Sequence, residues 1–337
     1  MELILAFASI VAAIVPMFLY LLVIWWLDRN DREPFWILLL NFFWGATGAI
    51  IIGIVGSIIF QIPLSTFIQD YLVGDASDID LSGAVITAPL VEEFAKGIFL
   101  VAMSMTRRFD GTVDGVVYGG AIGLGFGMTE NFLYFVSYAS VPETWLFVVV
   151  IRTLFSAVMH CMAQATFGAC VGFAKFKPAV FKIILIPVGF LIAVFLHFAW
   201  NLTVSFEETS LLGIAFLIMY FFAIFAVFQI SLYLESRTII RELQDEASIG
   251  NLPLEHLNYI PYMFRRFRGG WCPAGVNQKL YVKTAIALAL RKNQYKHTSG
   301  SSRNYYKNEI DNCRYKIQLM FYNAGLQYNH AQNAQLN

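Results

Sequence analysis

The chain of 337 residues is 58% hydrophobic and 14% charged, with a mean hydropathy of +0.61. That balance excludes an ordinary soluble domain and places the protein among multi-pass membrane proteins. The formal net charge of zero hides an asymmetry: residues 235–337 hold 14 Lys and Arg against 7 Asp and Glu, whereas the first 234 hold 9 against 16. A membrane domain at 1–234 and a basic, water-soluble tail at 235–337 are expected, with no nucleic-acid partner.

A helix needs about 20 apolar residues to cross the hydrocarbon. Counting on that basis predicts an all-α polytopic bundle of about seven spans, at 3–27, 35–60, 83–105, 112–138, 145–174, 180–204 and 211–234. The first run has no basic n-region and ends in Trp25 and Trp26, an interfacial signature, so it reads as a retained span rather than a signal peptide. In the tail, Pro253, Pro261 and Pro273 punctuate an irregular stretch. A helix from Leu280 to Tyr295, a turn at 297–303 and a second helix with Ile310, Cys313, Ile317 and Phe321 on one face then suggest a hairpin. Its basic residues suit either solvent or anionic lipid headgroups. The four cysteines are scattered without a CxxC spacing, so neither a disulfide framework nor a cysteine-ligated zinc is expected.

The loops set the orientation. Loops 28–34, 106–111 and 175–182 carry Arg29, Arg32, Arg107, Arg108, Lys175, Lys177 and Lys182. Loops 61–82, 139–144 and 205–210 carry no Lys or Arg, and hold Asp70, Asp75, Asp78, Asp80, Glu143, Glu207 and Glu208 instead. The positive-inside rule then puts the N-terminus outside and the tail in the cytoplasm.

Five glutamates and histidines sit inside the apolar stretches: Glu92, Glu93, Glu130, His160 and His197. Such groups cost at least ~2.5–3.5 kcal/mol in hydrocarbon and mark functional cavities by default. Counted along their helices, Glu92, Glu130 and His197 fall roughly 10–15 Å below the outer surface. Glu92 and Lys96 are four apart, which predicts an ion pair, while Glu93 points about 100° away. One carboxylate is thus held as a partnered anion and the other stays available as a base. Gly111, Gly115, Gly119, Gly123 and Gly127 recur every fourth residue in span four, a small-residue stripe for close helix packing that leads to Glu130. Phe126 and Tyr134 flank Glu130 at helical spacing, and Asn201 lies one turn beyond His197, so an imidazole and an amide share a face suited to an oxyanion. Arg152, two turns from His160, either neutralises a Glu or snorkels to the interface.

Carboxylates and imidazoles gathered at one depth are the parts of a water-activating hydrolase. There is no HExxH motif, no Gly-x-Ser with a partnered His, and no intramembrane Asp pair. Two rivals stand beside it. An ion-coupled transporter also uses buried Glu and His, but no inverted repeat is visible. A non-catalytic scaffold leaves the buried polar groups without a purpose.

Four motifs in order carry a family resemblance: Glu92-Glu93-x-x-Lys96; Phe126-x-x-x-Glu130 continuing to Asn131 and Tyr134; Arg152 with His160; and His197-x-x-x-Asn201. The segments Asp28-x-x-Asp31-x-Glu33-Pro34 and Asp114-Gly115-x-x-Tyr118-Gly119-Gly120 add to it. Over roughly residues 25–205 the chain resembles the PrsW family of intramembrane proteases, which is grouped with the CAAX prenyl endopeptidases. Glu130 stands where the prenyl endopeptidases carry His, which argues against a prenylated substrate.

The resemblance implies a membrane-embedded endopeptidase in a prokaryotic cell membrane. It would cleave a single-span, anti-sigma-factor-like protein near the outer half of the bilayer, in regulated intramembrane proteolysis. The expected catalytic set is Glu92, Glu93, His160, His197, Asn201 and Glu130, supported by Lys96, Phe126 and Arg152. Glu92 or Glu93 with His160 would activate water, His197 and Asn201 would stabilise the oxyanion, and Glu130 would tune the site. Glu93, His160 and His197 form a possible zinc set. The neighbouring Lys96 and the lack of a tight ligand motif favour a metal-free glutamate mechanism with no cofactor.

Overall fold

A computed structural model describes residues 1–72 and 74–325, and every regular element among them is a helix. The chain divides into two compact units, one of Met1–Leu27 with Glu33–Phe228, the other of Asp28–Arg32 with the chain from Gln229.

In the first unit, α1 (Glu2–Leu27) is a single apolar helix. Next, α2 (Phe35–Phe43) passes through a π-helical turn (Trp44–Ala49) into α3 (Ile50–Tyr71). The short α4 (Ala76–Ser82) is capped by Asp75, whose carboxylate accepts from the Ser77 and Asp78 amides. A second π turn (Gly83–Thr87) joins it to α5 (Ala88–Ser104), and α6 (Thr112–Ser137) follows. A third π turn (Arg152–Ser156) lies between α7 (Pro142–Ile151) and α8 (Ala157–Ala174). The unit closes with α9 (Ala179–Val204) and the first part of α10 (Ser210–Ser248).

Among the described residues, five helices are long and apolar enough to cross a membrane: Glu2–Leu27, Phe35–Tyr71, Pro142–Ala174, Ala179–Val204 and Glu207–Ser248. The other two predicted spans form helices α5 and α6, whose composition falls short of that standard. The reason is visible in their surroundings. From Val113 to Gly127 every residue of α6 is buried, so this helix faces protein rather than lipid and tolerates glycine and charge.

The glycine stripe explains the burial. A β-carbon on Gly115, Gly119 or Gly123 would stand 1.9, 2.1 or 2.2 Å from the carbonyl oxygen of Gly168, Gln164 or His160 respectively. The α6 and α8 backbones therefore touch along three successive turns, with His160 and Gln164 of α8 set against it. On another face of α6, Gly125 lies equally close to the Phe42 carbonyl. The first π turn is tied to its neighbours by Trp44 Nε1 donating to Ala95 O at 3.2 Å and Thr129 Oγ1 donating to Ala46 O at 2.8 Å.

In the second unit, the short α11 (Met263–Arg266) follows α10 in the chain, and the end of α10 packs with α12 (Gln278–His297) and α13 (Gly300–Asn323). Ile239, Leu243, Tyr281, Ile286, Ile317 and Phe321 form its core. The α12 and α13 helices are the expected hairpin, with Ile310, Cys313, Ile317 and Phe321 buried on one face. The turn between them is tighter than 297–303, because α12 runs to His297 and α13 starts at Gly300.

Candidate active site

Of the three π turns among the described residues, two lead directly into site helices: one precedes the α5 helix of Glu92 and Glu93, the other carries Arg152 and precedes His160. A π bulge widens one helical turn and re-aims the side chains beyond it, and such bulges concentrate at functional sites. The turn before α5 is held in place by Thr87 Oγ1, which donates to Gln61 Oε1, and by Asn201 Nδ2, which donates to Ala84 O at 2.8 Å.

Beyond these turns, α5, α6, α8 and α9 bring one polar network together. Lys96 Nζ lies 2.6 Å from Glu93 Oε1, 3.7 Å from Glu92 Oε2 and 3.0 Å from His160 Nδ1, and sits 3.8 Å from the centre of the Phe126 ring. The ion pair expected with Glu92 is thus made chiefly with Glu93, one residue nearer. Both oxygens of Glu93 are engaged: His197 Nδ1 meets Oε1 at 2.9 Å, and Gln164 Nε2 donates to Oε2 at 2.6 Å. Glu93 and Lys96 have no exposed surface.

The other end of the network runs through Glu130. His160 Nε2 is 2.7 Å from Glu130 Oε2, and Arg152 Nη2 is 2.8 Å from the same oxygen, an ion pair off hydrogen-bond alignment. Arg152 also donates from Nε to Asn131 Oδ1 at 3.1 Å and lies 3.6 Å over the Tyr134 ring. Of the two roles open to Arg152, the structure selects neutralisation of Glu130.

These bonds assign the imidazole tautomers. Carboxylates at His197 Nδ1 and His160 Nε2 call for N–H groups there, and the Lys96 ammonium donates to His160 Nδ1. A lone pair is then left open on His197 Nε2, while that on His160 Nδ1 accepts from Lys96. Glu92 is the carboxylate the two rings share. Its side chain is 15% exposed, its Oε2 is 4.0 Å from His197 Nε2, and that oxygen is buried with no hydrogen-bond partner. The two rings stand perpendicular, 4.8 Å apart at their centres.

A metal fits here better than the sequence suggests. Glu92, His160 and His197 each offer a ligand atom, all within 4.8 Å of one another. Two imidazoles and a carboxylate are a ligand set of catalytic zinc sites, and a carboxylate behind a ligating imidazole, as Glu93 stands behind His197, is the usual orienting group. The expected carboxylate ligand, Glu93, is saturated by Lys96, His197 and Gln164. Glu92 has the open oxygen.

Of the residues singled out from sequence, Asn201 is the one the network leaves aside, since its amide secures the π turn at Ala84. Gln164, fully buried on Glu93, was missed. Its position four residues after His160 was the available signal.

A helical membrane bundle enclosing such a cluster defines a membrane-embedded hydrolase class, and comparison with known proteins narrows it. The family model for the PrsW family intramembrane metalloprotease matches residues 33–228, more than half of the chain. The chain therefore belongs to the PrsW family and is an integral, multi-pass membrane protease. It is similar to Protease PrsW of Bacillus subtilis, 24% identical over 58% of this chain and 82% of that protein. It also resembles Protease PrsW of Oceanobacillus iheyensis, at 26% identity over 63% of this chain and 90% of the relative, and that of Clostridioides difficile, at 28% over 52% and 73%. Bacterial relatives suit the expected prokaryotic cell membrane. No solved structure matches the chain.

Proposed function

We propose that the protein is an endopeptidase that cuts a single-span membrane protein in the outer half of the bilayer, with the reaction centred on Glu92. The carrying observation is the buried Glu92 Oε2, which lacks a hydrogen-bond partner and faces the lone-pair nitrogen of His197. In this reading α5 and α6 complete a seven-span bundle whose arginine and lysine loops lie in the cytoplasm. Cysteine labelling from outside intact cells, in a background without the native thiols, is expected to reach position 77 and not position 299. Labelling at 299 alone would overturn the orientation.

Glu92, His160 and His197 would hold a divalent metal such as zinc. When bound, the metal would supply Lewis acidity to the attacked carbonyl and lower the pKa of the attacking water. Glu93 receives the Nδ1 proton of His197 in a hydrogen bond and so keeps Nε2 free. Gln164 and Lys96 hold Glu93 in that role. Glu130 and Arg152 do the same for His160 from the opposite side. The narrow exposure at Glu92 restricts water, which strengthens each of these interactions.

One observation favours a second reading, a metal-free glutamate mechanism: the Lys96 ammonium lies within hydrogen-bond distance of His160 Nδ1, inside the proposed ligand set. Metal analysis of the detergent-purified chain separates the two. The first reading expects about one divalent ion per chain, lost in Glu92→Ala and His197→Ala, with cleavage of a single-span test protein stopped by a chelator and restored by metal. Cleavage by metal-free protein, insensitive to chelator, would leave Glu92 as the base and remove the metal.

A further inference from the structure

The basic residues of the second unit are used in different ways. Lys292, Lys296 and Arg314 are spent on its own carboxylates, at 2.7 Å to Glu246, 2.7 Å to Glu242 and 2.8 Å to Glu246. Arg29, Arg237, Arg265 and Arg268 have no carboxylate within 4.0 Å among the described residues. Arg265 makes a single long bond to Asn258 O at 3.5 Å and lies 4.8 Å over the Tyr262 ring.

Arg29 and Arg265 line a cavity of about 340 Å³ with Asn30, Tyr233 and Ser236. Of these lining residues Asn30 is nearly buried, as is Arg266, the chain neighbour of Arg265. Asn30 donates to Glu235 Oε2 at 2.7 Å, and Arg266 donates to Arg29 O at 3.2 Å. On the same segment, Phe264 and Phe267 are 76% and 73% exposed, an unfavourable setting for two phenylalanines in water.

Chain connectivity gives the level at which this cavity lies. Asp28 directly follows the apolar α1, and Gln229 to Ser236 is where the apolar run of α10 gives way to Glu235, Ser236 and Arg237. Two hydrophobic segments thus end at the cavity wall, which is headgroup depth for a spanning helix. Unpaired arginines beside exposed aromatics are the composition of a membrane interface.

We propose that this cavity binds the headgroup phosphate of an anionic membrane phospholipid, with Arg29 and Arg265 supplying the charge and Phe264 and Phe267 lying among the upper acyl chains. The site is independent of the protease chemistry and uses none of its residues.

Native mass spectrometry of the full-length chain in detergent tests it, with phosphatidylglycerol and phosphatidylcholine as probes. Wild type is expected to retain phosphatidylglycerol selectively. Each basic residue near an anionic surface is worth about fivefold in affinity, so Arg29→Gln with Arg265→Gln should weaken retention on the order of tenfold or more. The Lys pair at the same positions should keep it. Arg265 is exposed and weakly bonded, so Arg265→Gln alone gives a folded variant with a smaller loss of the same sign. Equal retention of the two lipids by wild type, or undiminished phosphatidylglycerol binding in the Gln variants, would overturn the proposal. Displacement of the lipid by millimolar inorganic phosphate would make this a free-phosphate site and overturn it equally.

Discussion

Both units of the molecule bury glutamates completely, and they treat them differently. In the second unit Glu246 receives Arg314 on both oxygens, at 2.8 and 2.9 Å, with Lys292 at 2.7 Å and Asn251 at 2.6 Å. Lys296 meets both oxygens of Glu242, at 2.8 and 2.7 Å. In the first unit Glu93 is closed in the same way, yet beside it Glu92 Oε2 and Gln164 Oε1 are buried without hydrogen-bond partners. A buried carboxylate costs several kcal/mol unless its lone pairs are met. A closed network offsets that cost and serves stability. The open oxygen at Glu92 has as its nearest cation the Lys96 ammonium at 3.7 Å, beyond hydrogen-bond reach, and so keeps lone pairs that a closed network would use.

The largest expected effect comes from removing the contact that assembles the open cluster. Gly123→Ala puts a methyl 2.2 Å from His160 O, so α6 and α8 must part. Overpacking of this kind costs ~1–3 kcal/mol or more, and here it also shifts His160. Cleavage should fall to background and the thermal midpoint of the first unit should drop. A variant with wild-type cleavage would show that the close approach is dispensable.

Glu93→Gln keeps the shape but removes the charge that holds both His197 and Lys96. Loss of an orienting carboxylate behind a ligating imidazole costs about 10–100-fold in metal affinity or activity. Metal titration of the purified variant should show that weakening with the second unit unaffected. A variant with unchanged affinity would move Glu93 out of the positioning role.

The smallest effect concerns the second unit alone. Burial lowers the pKa of His256 from its ordinary 6.5 to about 4, while Tyr281 Oη lies 2.9 Å from its Nδ1. The unfolded chain therefore binds the extra proton between these values. Stability should be full above pH about 6.5 and decline as pH falls toward 4. His256→Gln should flatten that slope in a thermal-unfolding series, and an unchanged slope would assign it to other groups.

Much of this was legible beforehand. Apolar run lengths located the helices, and the rarity of Glu and His in such runs located the cluster. The glycine period foretold close packing of α6 on a neighbouring helix because its spacing matches one helical turn, but it did not say that the neighbour is α8. The partner of Lys96 was not legible: positions i−3 and i−4 share a helix face, and the choice of Glu93 depends on where His197 and Gln164 arrive from other helices. Gln164 is an uncharged residue in an apolar run, so composition gave no alarm. Asn201 shares a face with His197, yet the π turn at Gly83–Thr87 presents Ala84 O to its amide, and no periodicity reveals such a turn. The attachment of Asp28–Arg32 to the second unit was equally hidden, since loop residues carry no pattern for distant packing.

The most direct test of the contrast between open and closed networks is a paired substitution, Glu92→Gln against Glu246→Gln, reading cleavage of a single-span test protein and thermal midpoint on the same samples. Glu92→Gln should lose ~10²–10⁴-fold or more in cleavage with a midpoint near wild type, because no hydrogen bond to its Oε2 is broken. Glu246→Gln should keep cleavage per folded molecule and lose roughly 2–3 kcal/mol of stability, less than a fully buried pair because Arg314 is a third exposed. Wild-type cleavage by Glu92→Gln, or a stability loss there as large as at Glu246, would contradict the account.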